Sequence, residues 1–192
     1  FHSQGNILEA AKLYQYFINQ GFKDHRVYSN YGTILKDLGK SKDAELSYRK
    51  AIEIKPDFAE AHSNLGLLLN DLGKLQDAEL SYRKAIEIKP DFAKAYSNLG
   101  NLLNDLGKSQ EAFDSYLKAL EINPVDYDIY TSINIFLRDA DISQLNKLKT
   151  KEILNIMLER NDVSHQELFK TFNFLYSNEV SVNLAKLDSD SS

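Results

Sequence analysis

Side chains that could perform catalysis or hold a metal ion are few in this sequence, and they are not grouped as such chemistry requires. The chain has no cysteine, which excludes disulfides, thiolate metal ligands and cysteine nucleophiles. No two histidines have metal-ligand spacing, and no serine lies in a nucleophile elbow. The four histidines are His2, His25, His62 and His165. The sequence therefore predicts no enzymatic activity, no metal site and no cofactor.

Asparagine and aspartate, in contrast, recur at a fixed spacing of 34 residues. The asparagines are Asn30, Asn64 and Asn98, and the aspartates, seven residues later in each case, are Asp37, Asp71 and Asp105. Seven residues are about two helical turns, so on a helix each Asn and Asp would share one stripe. An amide both donates and accepts hydrogen bonds. A row of such amides can therefore pair with the main chain of a bound peptide whatever its sequence.

The spacing of this row suits an extended peptide. Packed helices lie about 8–10 Å apart, and an extended chain advances about 3.3 Å per residue. Successive asparagines would thus meet roughly every third peptide residue. The positions that differ between units are expected to tune specificity, namely Arg26/Glu60/Lys94 and Thr33/Leu67/Asn101. The alternative is that the asparagines recur only because the units are near-copies of each other.

The same period of 34 residues orders the rest of the sequence. The stretch DAELSYRKAIEIKPDFA occurs at 43–59 and again at 77–93. Prolines, glycines, alanines and tyrosines form ladders with this spacing: Pro56, Pro90, Pro124; Gly32, Gly66, Gly100; Gly39, Gly73, Gly107; Ala44, Ala78, Ala112; Ala51, Ala85, Ala119; Tyr48, Tyr82, Tyr116. A period of this length predicts a solenoid built from repeated helical pairs.

Each unit has the pattern of two amphipathic helices. In the middle unit, apolar residues with helical spacing run from Ala61 to Leu72. Gly73 ends that helix because glycine readily adopts the left-handed conformation. The second helix ends before Pro90. Gly66 is expected to let the two helices approach closely while Tyr82 fills the remaining space, so a larger residue at position 66 would force the helices apart.

These residues resemble the tetratricopeptide repeat (TPR), a helix–turn–helix unit of 34 residues. In the middle unit the matching residues are His62, Leu65, Gly66, Leu69, Ala78, Tyr82, Ala85 and Pro90. The full units are 25–58, 59–92 and 93–126. Residues 1–24 resemble the second helix of an earlier unit, although Phe17 and Phe22 replace the Ala and Pro of the pattern. The chain begins at Phe1 rather than methionine, so we interpret it as a fragment or a processed chain.

The resemblance implies an all-α, right-handed superhelix of the tandem bacterial type, with the first helices on its concave side. The asparagine row then resembles the asparagine ladder of TPR-containing glycosyltransferases. A carboxylate clamp of the kind found in chaperone-binding TPR domains is not expected. Asn64 and Lys94 match that clamp, but Ser29, Thr33 and Asn98 replace its basic or amide residues.

The sequence after the third unit loses the repeat pattern. Residues 127–140 predict a capping helix with Ile129, Tyr130, Ile133 and Leu137 inward, and Asn134 stands where the repeat has glycine. Residues 141–180 predict two further helices. The first, near 143–160, has Leu145, Leu148, Ile153, Ile156 and Met157 inward. The second, near 165–178, has Leu168, Phe169, Phe172, Leu175 and Tyr176 inward, after a capping box that begins at Ser164. Residues 181–192 predict a disordered tail.

The composition limits the function further. The formal net charge of −5 argues against nucleic acid as a partner, and no apolar run approaches the roughly 18 residues that span a membrane. We therefore predict a cytoplasmic, non-catalytic scaffold that binds an extended peptide or a partner helix in its concave groove. Two alternatives stay open. The array could be a regulatory or substrate-presenting module of a larger methyltransferase or glycosyltransferase. It could also self-associate through its end repeats or C-terminal helices.

Overall fold

The computed structural model describes residues 6–160 and 165–176, and every regular element in these ranges is helical. The chain divides into two compact units between Leu102 and Leu103. The predictions for Ser164 and for the tail at 181–192 lie outside the described residues.

The first unit contains the two-helix pattern that the sequence predicts. Its helices are α1 (Ile7–Asn19), α2 (His25–Asp37), α3 (Ser41–Ile54), α4 (Ala59–Asp71) and α5 (Leu75–Ile88), and α6 (Ala93–Asp105) spans the division between the units. Helix α2 packs on α3 and α4 packs on α5, while α2 and α3 both contact α4. Helix α1 contacts α2 and matches the helix expected ahead of the first full repeat.

The turn within each repeat depends on a glycine. Gly39 and Gly73 each have a φ of 72°, which costs a residue with a side chain about 1 kcal/mol or more. The amides of Gly73 and Lys74 donate to the carbonyls of Asn70 and Leu69, and so satisfy groups that the end of α4 would otherwise leave without partners. The predicted end of the helix at Gly73 is confirmed.

The two helices of a repeat approach closely where a glycine faces a tyrosine ring. A Cβ atom added at Gly66 would lie 2.8 Å from Cδ1 of Tyr82, and one at Gly32 would lie 2.8 Å from Cε1 of Tyr48. Both tyrosines are 1% exposed. The predicted close approach at Gly66 is therefore confirmed, and the first unit contains it twice with the same geometry.

The second unit begins with a repeat helix and continues with helices that do not follow the repeat. It contains α7 (Ser109–Ile122), α8 (Tyr127–Asp139), a 3-10 helix (Ile142–Gln144), α9 (Lys147–Leu158) and a 3-10 helix (His165–Leu168), and residues 169–176 are helical. On α8, Phe136 stacks on Phe113 of α7 with ring centroids 5.9 Å apart. As predicted, Ile129, Tyr130, Ile133 and Leu137 are buried.

The C-terminal helices pack against α7 and α8 through polar as well as apolar contacts. At the start of α9, Lys149 pairs with Asp114 of α7 at 3.1 Å. The buried hydroxyl of Thr171 donates to the carbonyl oxygen of Leu137 at 3.3 Å. Residues 141–160 and 165–176 therefore belong to the same compact unit as α8.

Three of the apolar residues predicted to point inward in these helices are exposed. The exposed fractions are 68% for Leu148, 47% for Ile156 and 65% for Phe169. The buried stripe of α9 instead consists of Thr150, Ile153, Leu154 and Met157, so Leu148 and Ile156 fall on another side of the helix. Helix α9 also begins at Lys147 rather than near 143, after the separate 3-10 helix.

Candidate functional site

The three predicted asparagines occupy the same place on three first helices of the repeats. Asn30 is on α2, Asn64 on α4 and Asn98 on α6, and all three belong to the first compact unit. We call the surface of these helices that carries them the amide face. Asn30 is exposed, whereas Asn64 and Asn98 are half-buried.

The amides of this face have unused hydrogen-bonding capacity. Nδ2 of Asn30 donates to the hydroxyl of Tyr14 over a long distance of 3.4 Å. Within residues 6–160 and 165–176, the side chains of Asn64 and Asn98 make no hydrogen bond. These two amides therefore have donors and acceptors open to a ligand.

The aspartates lie at the C-terminal ends of the same helices. Asp37 is exposed, and Asp71 forms a loose ion pair with Lys36 at 3.7 Å. The negative charge of Asp71 raises the pKa of Tyr82, after the larger effect of burial, and Asp37 has the same kind of effect on Tyr48. Each aspartate is thus close enough to the buried tyrosine of its own repeat to influence it. Asp105, in the second unit, acts in the same way on Tyr116.

The residues expected to tune specificity differ in how firmly they are held. The Arg26 guanidinium binds Asp24 at 2.9 Å, and this contact holds the pKa of the Asp24 carboxyl well below its usual range. Arg26 is therefore engaged at the start of α2. Lys94 is exposed and has no ionic partner among the residues that the structure describes. Asn101 is exposed on α6.

Thr33 and the equivalent residues of the later repeats determine whether the hydroxyl of the buried tyrosine has a hydrogen-bond partner. The Tyr48 hydroxyl donates to Oγ1 of Thr33 at 3.1 Å, and Thr33 in turn donates to the carbonyl of Ser29. Leu67 takes the place of Thr33 in the next repeat and offers no acceptor. The Tyr82 hydroxyl consequently has no hydrogen-bond partner within the described part of the chain. The sequence reasoning missed this hydroxyl, although the change from Thr to Leu pointed to it.

Other side chains that could do chemistry have structural roles. Nε2 of His62 lies 2.9 Å from the carbonyl oxygen of Pro56, which ties α4 to the loop before it. Within the described ranges, no group of three or more His, Asp or Glu side chains could hold a metal ion. No helix in those ranges is both long enough and apolar enough to cross a lipid bilayer.

Comparison with known families agrees with this geometry. Residues 59–92 and 93–126 match the family described as tetratricopeptide repeat, and residues 32–73 match a second family model described as TPR repeat. Residues 32–126 form a tandem TPR array. The resemblance noted from the sequence is thereby confirmed, together with the all-α solenoid fold class. No curated protein sequence matches the chain significantly.

Several solved TPR structures resemble the chain. The crystal structure of MamA is 25% identical with a TM-score of 0.62, over 69% of this chain and 78% of that one. The first TPR domain of Spaghetti (RPAP3), bound to the HSP90 peptide SRMEEVD, is 24% identical with a TM-score of 0.56, over 59% and 90%. The TPR domain of Arabidopsis OM64 is 22% identical with a TM-score of 0.56, over 58% and 93%. These neighbours and the family matches support a protein-interaction scaffold.

Proposed function

We propose that the amide face binds the main chain of an extended peptide from a partner protein. The observation that carries the proposal is that Asn64 and Asn98 are half-buried and make no hydrogen bond within the described chain. Each amide can donate to a peptide carbonyl and accept from a peptide N–H. RPAP3 has this fold and is recorded with a peptide bound, so the fold is compatible with such a ligand.

The charges beside the amide face favour a peptide with a basic side chain. Asp37 is exposed and has no ionic partner among the described residues, and Asp71 is only loosely paired at 3.7 Å. A peptide lysine or arginine between them would gain charge-assisted hydrogen bonds. Main-chain pairing thus gives affinity, and the acidic end of the face gives preference for basic residues.

A peptide selection tests this function. Random dodecapeptides displayed on phage are selected on the whole chain, and the affinity of the best peptide is measured by fluorescence anisotropy. We expect the triple substitution Asn30→Ala, Asn64→Ala and Asn98→Ala to weaken binding at least tenfold, since each lost hydrogen bond is worth about 0.5–1.5 kcal/mol. Gln76→Ala is the matched control, because Gln76 is an exposed amide on the second helix α5.

Two further measurements identify the recognised groups. N-methylation of alternate peptide bonds should abolish binding if the main chain is the ligand, while alanine substitution of most peptide side chains should have little effect. Asp37→Asn should weaken binding at low salt only, because an exposed ion pair is screened by salt. Undiminished affinity in the triple variant would place the binding site on another surface.

A second candidate function is self-association through the C-terminal helices. Three large apolar side chains there are about half exposed or more, namely Ile156 at 47%, Phe169 at 65% and Phe174 at 50%. Apolar residues of this size become favourable contacts when another surface covers them. Light scattering at increasing concentration tests this, with Phe169→Ser and Phe174→Ser together expected to keep the chain monomeric. A chain that is monomeric without these changes would remove this candidate.

A further inference from the structure

The asparagines of the amide face recur with a regular step from one first helix to the next. The segments that lead into α4 and α6 have the same sequence, KPDFA, and the same hydrogen bond from the phenylalanine amide to the lysine carbonyl, at 3.2 Å and 3.1 Å. Helix α4 packs against α2, and packed helices lie about 8–10 Å apart. The amides of Asn30, Asn64 and Asn98 are therefore repeated at about this distance.

This step limits the ligand conformations that can use all three amides. In a β-strand, main-chain groups point in the same direction at every second residue, a distance of about 6.6 Å, so each asparagine would fall about 1–3 Å further out of register with the strand. A polyproline II helix has three residues per turn and rises about 3.1 Å per residue, so its groups recur about every 9.3 Å. Of these two conformations, polyproline II keeps step with the asparagines.

We propose that the ligand of the amide face is a peptide in the polyproline II conformation that carries a basic residue at every third position. This inference rests on the proposed function and adds to it the conformation and the sequence period of the ligand. Polyproline II has no internal hydrogen bonds, so its main-chain groups are available to the three asparagines. An α-helical ligand has no such groups to offer, since its main chain is bonded internally.

The acidic end of the amide face has the same step as the asparagines. Asp37 and Asp71 lie seven residues after Asn30 and Asn64 on the same helices. Seven residues are about 10.5 Å of helix, and the long stem of a lysine or arginine can extend along it. Asp37 has no ionic partner among the described residues, and Asp71 is only loosely paired with Lys36 at 3.7 Å. Basic residues three positions apart, on one side of a polyproline II helix, would therefore meet successive aspartates.

A residue in the middle of the face indicates what the intervening ligand positions should be. Leu67 is half-buried and lies on α4 between Asn64 and Asp71, so an apolar ligand residue would remove more of its surface from water. Proline is apolar, and its fixed φ of about −65° is close to that of polyproline II. Proline has no N–H, so other ligand residues must supply the donors for the asparagine oxygens. The expected ligand sequence is thus a repeat of proline, any residue, and lysine or arginine.

Two fluorescein-labelled peptides of equal composition test the period. The sequence PAKPAKPAKPAK has lysine at every third position, and PPAKAKAKAKPP has it at every second position. Their binding to the whole chain is measured by fluorescence anisotropy at low salt. We expect the period-three peptide to bind at least ~10-fold more tightly than the period-two peptide.

A third peptide, GAKGAKGAKGAK, separates the conformation from the spacing. It keeps lysine at every third position, but glycine removes the bias toward polyproline II because its backbone is permissive. We expect it to bind at least ~3-fold more weakly than the proline peptide, since more conformational freedom is lost on binding.

Variants of the chain connect these affinities to the amide face. The triple substitution Asn30→Ala, Asn64→Ala and Asn98→Ala should weaken binding of the period-three peptide at least ~10-fold, whereas Gln76→Ala should leave it unchanged. Asp37→Asn should reduce the difference between the period-three and period-two peptides, because one of the two aspartates that recognise the lysine spacing is then neutral.

The possible failures of the inference and of the proposed function have different signatures. If the period-two or the glycine peptide binds as tightly as the period-three peptide, and the triple asparagine variant loses that binding, the ligand has no preferred period or conformation and only this inference is overturned. The same holds if a phage-selected peptide binds through the asparagines while none of the three designed peptides binds. If the period-three peptide binds the triple variant and the unmodified chain equally well, both this inference and the proposed function fail.

Discussion

The contact between Gly66 and Tyr82 allows a test of the repeat packing. Gly66→Ala should destabilise the chain when the Tyr82 ring is present and stabilise it when the ring is absent. Alanine is a better helix former than glycine by about 1 kcal/mol, so Gly66→Ala should stabilise α4 if nothing opposed the new methyl group. The added Cβ would, however, lie 2.8 Å and 2.9 Å from two carbon atoms of the Tyr82 ring. Ordinary contact begins at 3.4 Å, so the ring or the helix must move by about 0.6 Å.

The surroundings of Tyr82 make that movement costly. Its ring is 1% exposed, and Ala78 and Ala85 on the same helix are fully buried, so no open space is available. Overpacking of a filled core costs about 1–3 kcal/mol. After subtraction of the helix-propensity gain, Gly66→Ala should lower the free energy of unfolding by about 1 kcal/mol.

Urea unfolding followed by circular dichroism measures this change. In the background of Tyr82→Ala the ring is absent, and Gly66→Ala should then raise the free energy of unfolding by up to about 1 kcal/mol. Gly73→Ala is a useful comparison, because Gly73 has nothing within 4 Å but a φ of 72°. Gly73→Ala should lower the free energy of unfolding both with and without the Tyr82 ring. If Gly66→Ala has the same sign with and without the ring, the close contact does not limit the packing of this repeat.

Three further predictions concern single side chains. Burial raises the pKa of Tyr82 above its usual value of 10.0. The neutral Tyr82 phenol therefore stabilises the fold fully below pH 10. This stabilisation is lost as the pH rises above 10, because the phenol of the unfolded chain ionises first. The melting temperature should fall less steeply from pH 8 to 11 for Tyr82→Phe than for the unmodified chain. Thr33→Val removes the acceptor of the Tyr48 hydroxyl at 3.1 Å and should cost about 1 kcal/mol in urea unfolding, whereas Leu67→Val, which removes no hydrogen bond, is its control. Thr171→Val removes the buried hydrogen bond to the Leu137 carbonyl and should cost a similar amount, with faster hydrogen exchange of residues 169–176 as the local readout.

The repeated part of the fold could be predicted because its local signals agree with each other. A turn glycine, a contact glycine and a buried tyrosine recur with one period, and each has a physical reason that does not depend on distant parts of the chain. The unit is fixed largely by contacts with its neighbours. Gly66, Gly73 and Tyr82 consequently have the roles that their positions indicate.

The C-terminal helices were less predictable because no period identifies their inner face. Leu148, Ile156 and Phe169 are as apolar as their buried neighbours, and they would satisfy a helical pattern in several alternative registers. Which side of α9 becomes buried depends on the positions of α8 and of residues 165–176. The buried Thr171 shows that even polarity is a poor guide there, since its hydroxyl finds a backbone carbonyl.

In the candidate site, the positions of residues could be predicted from the repeat, whereas their contacts with other residues could not. The places of Asn30, Asn64 and Asn98 on the first helices follow from the period alone. The engagement of Arg26 by Asp24 could not be read from the repeat, because Phe58 and Phe92 occupy the position of Asp24 in the later units.

The equal Gly–Tyr contacts of the first two full repeats have a consequence for the evolution of this chain. A deletion of residues 59–92 would join Phe58 to Ala93, and Phe58 is followed by alanine in the present chain as well. The new junction would therefore reproduce an existing one, and α2 and α3 would meet α6 in place of the closely similar α4. Duplication of the same segment would be equally free of a foreign junction. Unequal recombination within the 34-residue units could thus shorten or lengthen the amide face by one asparagine at a time. The length of the bound ligand could then change while the contacts between repeats stay the same.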